Sequence, residues 1–286
     1  FKYLTTAQKL IYLMHMKWVN SIHEKFFSES NVRFFEKNIM FLAIGGFIIH
    51  LLLILFETQF GIEIFSSKTN LSSNPISALY TPFTFILVYE AFLLVYYLPR
   101  SFTTSVAKEY EIISLVLIRK IFKDIPNLDL DNNDLLNPNN VQLLYDLGAV
   151  IIIFYMIYLF KKTWHNIPKK KSKNNLEKFI SYKKLLSILL LPTLLLLCIY
   201  NFADWFNSVF YTTSIYPGNL DSVFFKDFFT ILILVDVLIL LLSLQYTERY
   251  SQLIRNTGFI ISTILLRLSF GVDGLLSIIL LLLGVV

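Results

Sequence analysis

The sequence predicts the all-α fold class: a polytopic transmembrane helical bundle of six to seven spans, with an N-terminal amphipathic interfacial helix. Composition is the first reason, because 56% of the 286 residues are hydrophobic and only 16% are charged. Soluble chains carry about 25% charged residues. The second reason is a mean hydropathy of +0.63. Together these values disfavour a soluble enzyme, a disordered protein and a nucleic-acid binder, so no nucleic-acid partner is expected.

Residues 1–37 differ from the rest of the chain and are predicted to form the interfacial helix. Apolar side chains follow helical spacing there, whereas Lys9 and Lys17 lie away from this stripe. Such a pattern is typical of a helix that lies on a membrane surface. A helix packed against a soluble partner is the alternative. Residues 38–286 are predicted to form the transmembrane domain.

Apolar segments long enough to cross a membrane recur through that domain. A spanning helix needs about 20 mostly apolar residues, and helix is expected because lipid cannot satisfy an open backbone. Five segments meet the requirement: 38–57, 76–98, 141–160, 185–206 and 223–246. A sixth, 257–286, is longer and is interrupted by Arg267 and Asp273.

Segment 101–124 is ambiguous, because it mixes apolar residues with both acidic and basic ones. It either lies in the membrane interface or crosses with its charges facing protein. The chain from Lys161 to Lys184 holds nine lysines and one acid, which predicts the inner side. The N-terminal residues, with six Lys and Arg against three Glu, are also predicted inside. One more crossing is then needed before 141–160, which favours seven spans with 101–124 among them.

Charged residues at membrane depth are costly and indicate functional sites. Asp236 lies ten residues before the inner end of its predicted helix, and Arg267 ten residues after the start of the next. Both would then lie about 15 Å from the inner surface, so an ion pair is expected. A purely structural link between two helices is the alternative interpretation.

Further carboxylates are expected near the same level. Glu90, Glu109 and Glu111 fall at similar depth. Together with Asp236 they would place as many as four carboxylates around Arg267 in one layer. Asp273 lies farther out between two glycines, which permit close helix approach or a local break. The predicted ion-pathway residues are therefore Arg267, Glu90, Asp236, Asp273, Glu109 and Glu111.

Motifs for other chemistry are missing from the sequence. There is no voltage-sensor repeat, no potassium-filter motif, no phosphate loop and no cluster of His and Asp suited to a metal. No catalytic residue, metal ligand or cofactor is therefore predicted. Whether the chain is an enzyme stays open, with a non-catalytic role favoured.

The stretch from Leu265 through Arg267 to Gly271 resembles part of subunit a of rotary ATP synthases, which carries a Leu-Arg-Leu run in a long late helix. The resemblance implies that Arg267 faces a rotor ring and separates two proton half-channels. Two positions depart from the family, since its Asn four residues after the Arg is Gly271 here and its Gly eight residues after is Leu275. The family also continues into a further helix.

The leading functional hypothesis is an integral membrane pathway for protons or monovalent cations, in which carboxylates relay the ion and Arg267 is a counter-charge. Lipid and further subunits of a membrane complex are the expected partners. The alternative is a non-catalytic subunit that anchors or couples a larger complex. A lipid-modifying membrane enzyme is a third class. Abundant Lys, Asn, Ile and Phe suit an AT-rich genome such as an organelle's, hence an organelle inner membrane.

Overall fold

The computed structural model describes residues 17–60, 75–125, 138–165, 175–211, 220–246, 250–272 and 275–285. These residues form a helical bundle, and no strand occurs among them. A first helix, α1, is helical over residues 17–26, and a short 3-10 turn occupies Pro75–Leu79. The other helices are α2 (Glu29–Phe60), α3 (Tyr80–Tyr97), α4 (Phe102–Asp124), α5 (Pro138–His165), α6 (Asn175–Tyr211), α7 (Leu220–Tyr246), α8 (Tyr250–Ser269) and α9 (Leu275–Val285).

The N-terminal helices divide at a different point from the expected one. The chain bends at Phe27 and Ser28, and α2 then continues to Phe60 with no interruption near residue 37. Asn31 donates its backbone N–H to Ser28 Oγ over 3.2 Å, which satisfies a donor at the helix start. The first transmembrane helix is therefore longer than segment 38–57. Residues 1–16 of the predicted interfacial helix lie outside the described residues, and its place on a membrane surface stays a prediction.

Five helices among the described residues are long and apolar enough to cross a membrane, as judged by length and composition. They cover Lys17–Phe60 (α1 and α2 counted together), Tyr80–Tyr97, Asn140–Thr163, Lys178–Asn201 and Asp227–Tyr246. Large apolar side chains on their outer faces are exposed, for example Phe41 at 77% and Leu196 at 66%. Apolar faces of this extent are typical of lipid contact. The chain is therefore a multi-pass membrane protein.

The ambiguous segment forms α4, which runs antiparallel to α3. A turn joins the two helices, and Ser101 Oγ caps α4 by accepting the Thr104 backbone N–H over 3.3 Å. Along the hairpin, the rings of Phe83 and Phe122 lie 6.0 Å apart, so α4 follows α3 for most of its length. Helix α4 is not among the five helices that are long and apolar enough to cross a membrane. Its packing along α3 is compatible with a crossing in the opposite direction, and the expected additional crossing stays a prediction.

The predicted sixth span, 257–286, is not one helix, and that prediction was wrong. Helix α8 begins at Tyr250 and ends at Ser269, and α9 folds back along it. Ser277 Oγ donates to the Ser269 carbonyl over 2.7 Å, and Ser262 bonds to the Gly284 carbonyl. The break follows Phe270 and Gly271, where glycine lowers helix stability. The C-terminal region is therefore a helical hairpin.

Two cores hold the bundle together. Helix α3 packs against α2, α4, α6 and α7, and its inner face is completed by Phe228 and Leu232 of α7. A second apolar cluster joins α4, α5, α8 and α9 around Leu266 and Leu281. Helix α4 belongs to both cores. Glu109 and Arg119 of α4 are therefore enclosed by neighbouring helices, and this position sets up the candidate site.

Candidate functional site

Asp236 of α7 and Arg267 of α8 form a buried ion pair, in which Arg267 Nη1 contacts Asp236 Oδ2. Thr263, one helical turn before the arginine, also donates to Asp236 Oδ2 over 2.9 Å. Both helices run antiparallel and pack against each other, which brings these residues to one level. The structure thus contains the expected pair, although α8 begins seven residues earlier than the predicted span.

Glu109 of α4 completes a cluster of three charges around the same guanidinium. Its Oε1 lies 2.6 Å from Arg267 Nη2. Side-chain exposure is 3% for Arg267, 6% for Glu109 and 9% for Asp236. Two consecutive helices, α7 and α8, and the distant α4 therefore contribute one side chain each. We call Glu109, Asp236 and Arg267 the charge cluster.

Helical spacing explains why α8 presents a polar face to its neighbours. Asn256, Ile260, Thr263 and Arg267 recur at intervals of three or four residues, which places them on one side of the helix. All four are buried. The same face meets α7 and α4, so the arginine cannot reach water along its own helix and must find its counter-charges inside the bundle.

The charge cluster holds two carboxylates and one guanidinium, and therefore an excess negative charge when all three are ionised. An uncompensated buried ion costs several kcal/mol, and a buried carboxylate avoids this cost by binding a proton. A bound monovalent cation would compensate the charge equally well. The arrangement is consequently suited to holding one exchangeable positive charge between Glu109 and Asp236.

Glu90 lies apart from this cluster and pairs with Arg119, which corrects the expectation of a single layer around Arg267. Glu90 Oε2 lies 3.5 Å from Arg119 Nε, and both side chains are buried. Because Arg119 follows Glu109 by ten residues on α4, the two sites lie about 15 Å apart along the helix. No partner was predicted for Arg119, which lies beside Lys120 between apolar residues.

Glu111 and Asp273 also fall outside the charge cluster. Glu111 is about one-third exposed and lies 2.8 Å from Lys108 Nζ and 2.5 Å from Lys161 Nζ. It therefore belongs to the rim of the bundle, which corrects its expected place in the buried layer. Asp273 lies outside the described residues. Of the six predicted residues, the structure brings Arg267, Asp236 and Glu109 together.

Lys183, which was expected in the inner loop, is a buried cation. It lies on α6, is 3% exposed, and donates from Nζ to the Arg100 carbonyl over 2.7 Å. The rings of Phe102 and Phe179 lie 4.8 and 5.8 Å from its ammonium group, within range of cation–π attraction. Among the described residues no carboxylate lies within 4 Å of Nζ, so Lys183 affects Asp236 only at a distance.

The described residues contain no group of three His, Cys, Asp or Glu side chains that could together hold a metal ion. No protein-family model, curated protein or solved structure matches the chain. The function must therefore be inferred from the geometry of the charge cluster.

Proposed function

We propose that the chain provides a pathway for protons or monovalent cations across a membrane, and that the charge cluster is its central binding site. The observation that carries the proposal is the contact of one buried guanidinium with two carboxylates from different helices. A carboxylate pair that shares one counter-charge binds one further proton or cation. Charged groups at such depth in a bundle mark ion routes more often than they add stability.

The proposed step is an exchange of partners within the charge cluster. When Arg267 pairs closely with Asp236, Glu109 carries the proton; when Arg267 shifts towards Glu109, Asp236 takes the proton instead. The Thr263 hydroxyl, which donates to Asp236, stabilises the ionised form of that carboxylate. The guanidinium stays charged throughout. Protonating both carboxylates would leave it without a counter-charge and is therefore costly.

A narrower proposal is that the chain acts as subunit a of a rotary ATP synthase. Its support is the Leu-Arg-Leu run at Arg267 together with α9, which supplies the further helix that the family has after its arginine. The packing weighs against it, because Arg267 faces α4 and α7 rather than an outer surface where a rotor could bind. The contained pathway is therefore the function that the geometry favours.

The test is ion flux into liposomes that contain the purified protein. A pH-sensitive dye trapped inside reports proton entry when a pH gradient is imposed, and a sodium or potassium gradient replaces it for cations. Glu109→Gln and Asp236→Asn should each abolish flux. Glu111→Gln is the matched control, because it lies two residues from Glu109 on the partly exposed rim and should leave flux intact.

Two results would contradict the proposal. One is equal flux in the wild type, Glu109→Gln and Asp236→Asn, which would make the charge cluster a structural link. The other is a wild type that folds but conducts neither protons nor cations. Either result would favour the alternative function, a non-catalytic subunit that anchors or couples a larger membrane complex.

A further inference from the structure

Along the contact between α7 and α8, residues of the two helices face each other in three successive layers that share one register. The hydrogen bond between Thr263 and Asp236 fixes which residues face each other. Because the helices are antiparallel and every seventh residue returns to nearly the same side, Ser243 of α7 faces Asn256 of α8 nearer the turn. Both are buried, Ser243 at 1% exposure and Asn256 at 6%. We call this polar layer the entry layer.

Asn256 is poorly satisfied in its position. Its Oδ1 atom is buried and has no hydrogen-bond partner among the described residues. Ser243 does not offer its proton either, since its hydroxyl donates to the Leu240 carbonyl over 2.9 Å within α7. A buried amide oxygen without a partner costs about 1–3 kcal/mol, and in a membrane bundle water is the donor that can remove this cost.

Ile239 and Ile260 occupy the layer between the entry layer and the charge cluster. The register set by Thr263 and Asp236 places them opposite each other, and they are 3% and 4% exposed. Each lies one helical turn from the polar residues on either side, which is about 5 Å along the axis. An apolar layer of this kind blocks water, since hydrophobic constrictions in pores close by losing their water.

We propose that the α7–α8 contact is a one-sided water entry: water reaches Ser243 and Asn256 from the end of α7 and the start of α8, and Ile239 and Ile260 close it before the charge cluster. This inference rests on the proposed function in one respect, because ions that enter with the water would then reach Asp236. The side is the one on which Tyr246 and Tyr250 lie. No equivalent orphaned polar atom occurs on α7 beyond Asp236 in the described residues.

The test is cysteine labelling of the full chain in liposomes, starting from Cys198→Ala so that the native thiol is absent. Ser243→Cys and Asn256→Cys are treated with a charged, membrane-impermeant methanethiosulfonate added to one side or the other. Leu241→Cys and Ile261→Cys are the matched controls, because both lie on exposed apolar faces of the same two helices. Ser251→Cys, exposed at the start of α8, reports the side of the turn.

Both entry-layer cysteines should react from the same side as Ser251→Cys, and about tenfold faster than the two controls, because the reactive thiolate forms only where water is present. Ile239→Cys should react no faster than the controls. The inference is overturned if neither entry-layer cysteine reacts, if the controls react equally fast, or if reaction occurs from the opposite side.

The outcome separates this inference from the proposed function. Labelling is measured by mass shift, so it does not depend on flux. If the entry-layer cysteines are labelled in a protein that conducts no ions, the water entry is supported and the proposed ion pathway is contradicted. Asn256→Leu gives a second readout: filling a wet layer with an apolar side chain should slow flux, whereas in a dry contact the same change should leave flux unchanged and raise stability.

Discussion

Arg267 of α8 and Glu109 of α4 form a 2.6 Å ion pair between two helices that no single turn connects. Helix α4 can supply this carboxylate only because it is enclosed between α3, α5 and α8. The pair therefore depends on the whole arrangement of the bundle. Its loss should affect stability as well as ion movement, and the two effects can be measured separately.

Arg267→Met should strongly destabilise the protein, because it leaves Glu109 and Asp236 buried without their cation. Removing one partner of a buried pair costs about 3–5 kcal/mol. Replacing all three charges by apolar residues (Glu109→Leu, Asp236→Leu and Arg267→Met together) should recover most of this loss. Reversible unfolding in detergent micelles measures both values, with Leu268→Met on the exposed side of α8 as the control. A triple variant as unstable as the single one would mean that the charges are not the cause.

The Glu90–Arg119 pair should show clear energetic coupling in a double-mutant cycle. Glu90→Gln and Arg119→Gln should each lower stability, and the combined change should cost less than the sum, with a coupling energy of about 0.5–3 kcal/mol. The exposed pair of Glu29 and Arg33, 3.3 Å apart on α2, is the comparison, for which about 0.3–0.5 kcal/mol is expected. Equal coupling at the two sites would indicate that the Glu90–Arg119 pair is hydrated.

The ends of α4 should lie on opposite sides of the membrane. Ser101→Cys and Ile125→Cys, each in a Cys198→Ala chain, should react with an impermeant thiol reagent from different sides of sealed vesicles. The reason is that α4 follows α3 along its length. Labelling of both cysteines from one side would instead place α4 in the interface and leave Arg119 beside headgroups.

The sequence predicted the kind of helices better than their number and their ends, since six to seven spans were expected and five helices among the described residues are long and apolar enough to cross a membrane. Long apolar runs identify spans because lipid imposes length and helicity together. The crossing of the charged α4, which was expected from the sides of its neighbours, stays a prediction. The end of α8 was not predicted, although Gly271 and Gly274 on either side of Asp273 permit a local break in segment 257–286. Helix ends depend on local backbone contacts such as that of Ser277 with Ser269, which composition does not report.

The candidate site was predicted in part for a related reason. Depth along a helix, as read from residue numbers, placed Asp236 and Arg267 together correctly, but it also placed Glu90 in their layer, whereas Glu90 pairs with Arg119. Depth does not report rotation about the helix axis, which separates Glu109, facing Arg267, from Glu111, facing Lys161. Lys183 was assigned to the loop because it follows other lysines, although α6 already begins at Asn175.

A disulfide should form between cysteines introduced at Ser269 and Ser277 in the Cys198→Ala chain. Ser277 Oγ lies 2.7 Å from the Ser269 carbonyl oxygen because α9 folds back on α8. In one continuous helix, eight residues would separate the two positions by about 12 Å, and cysteines cannot bridge Cα atoms more than about 7 Å apart. Mild oxidation followed by mass spectrometry of the linked peptides decides between the two structures. A pair that stays reduced would restore the single long helix.

Gly284→Ala should disturb the charge cluster through α9, whereas Gly258→Ala should not. A Cβ atom at Gly284 would lie 2.8 Å from Leu266 Cγ and 3.1 Å from the Leu266 backbone nitrogen. The backbone atom cannot move aside like a flexible side chain, so α9 must shift away from the residue that precedes Arg267. Overpacking of this kind costs about 1–3 kcal/mol.

At Gly258 an added Cβ meets nothing within 4 Å, and alanine should be neutral or stabilise α8 by up to about 1 kcal/mol. Thermal unfolding measures the stability difference, and liposome flux measures the effect on the pathway. If Gly284→Ala matched Gly258→Ala in both assays, the close packing of α9 on α8 would play no part in holding Arg267 in place.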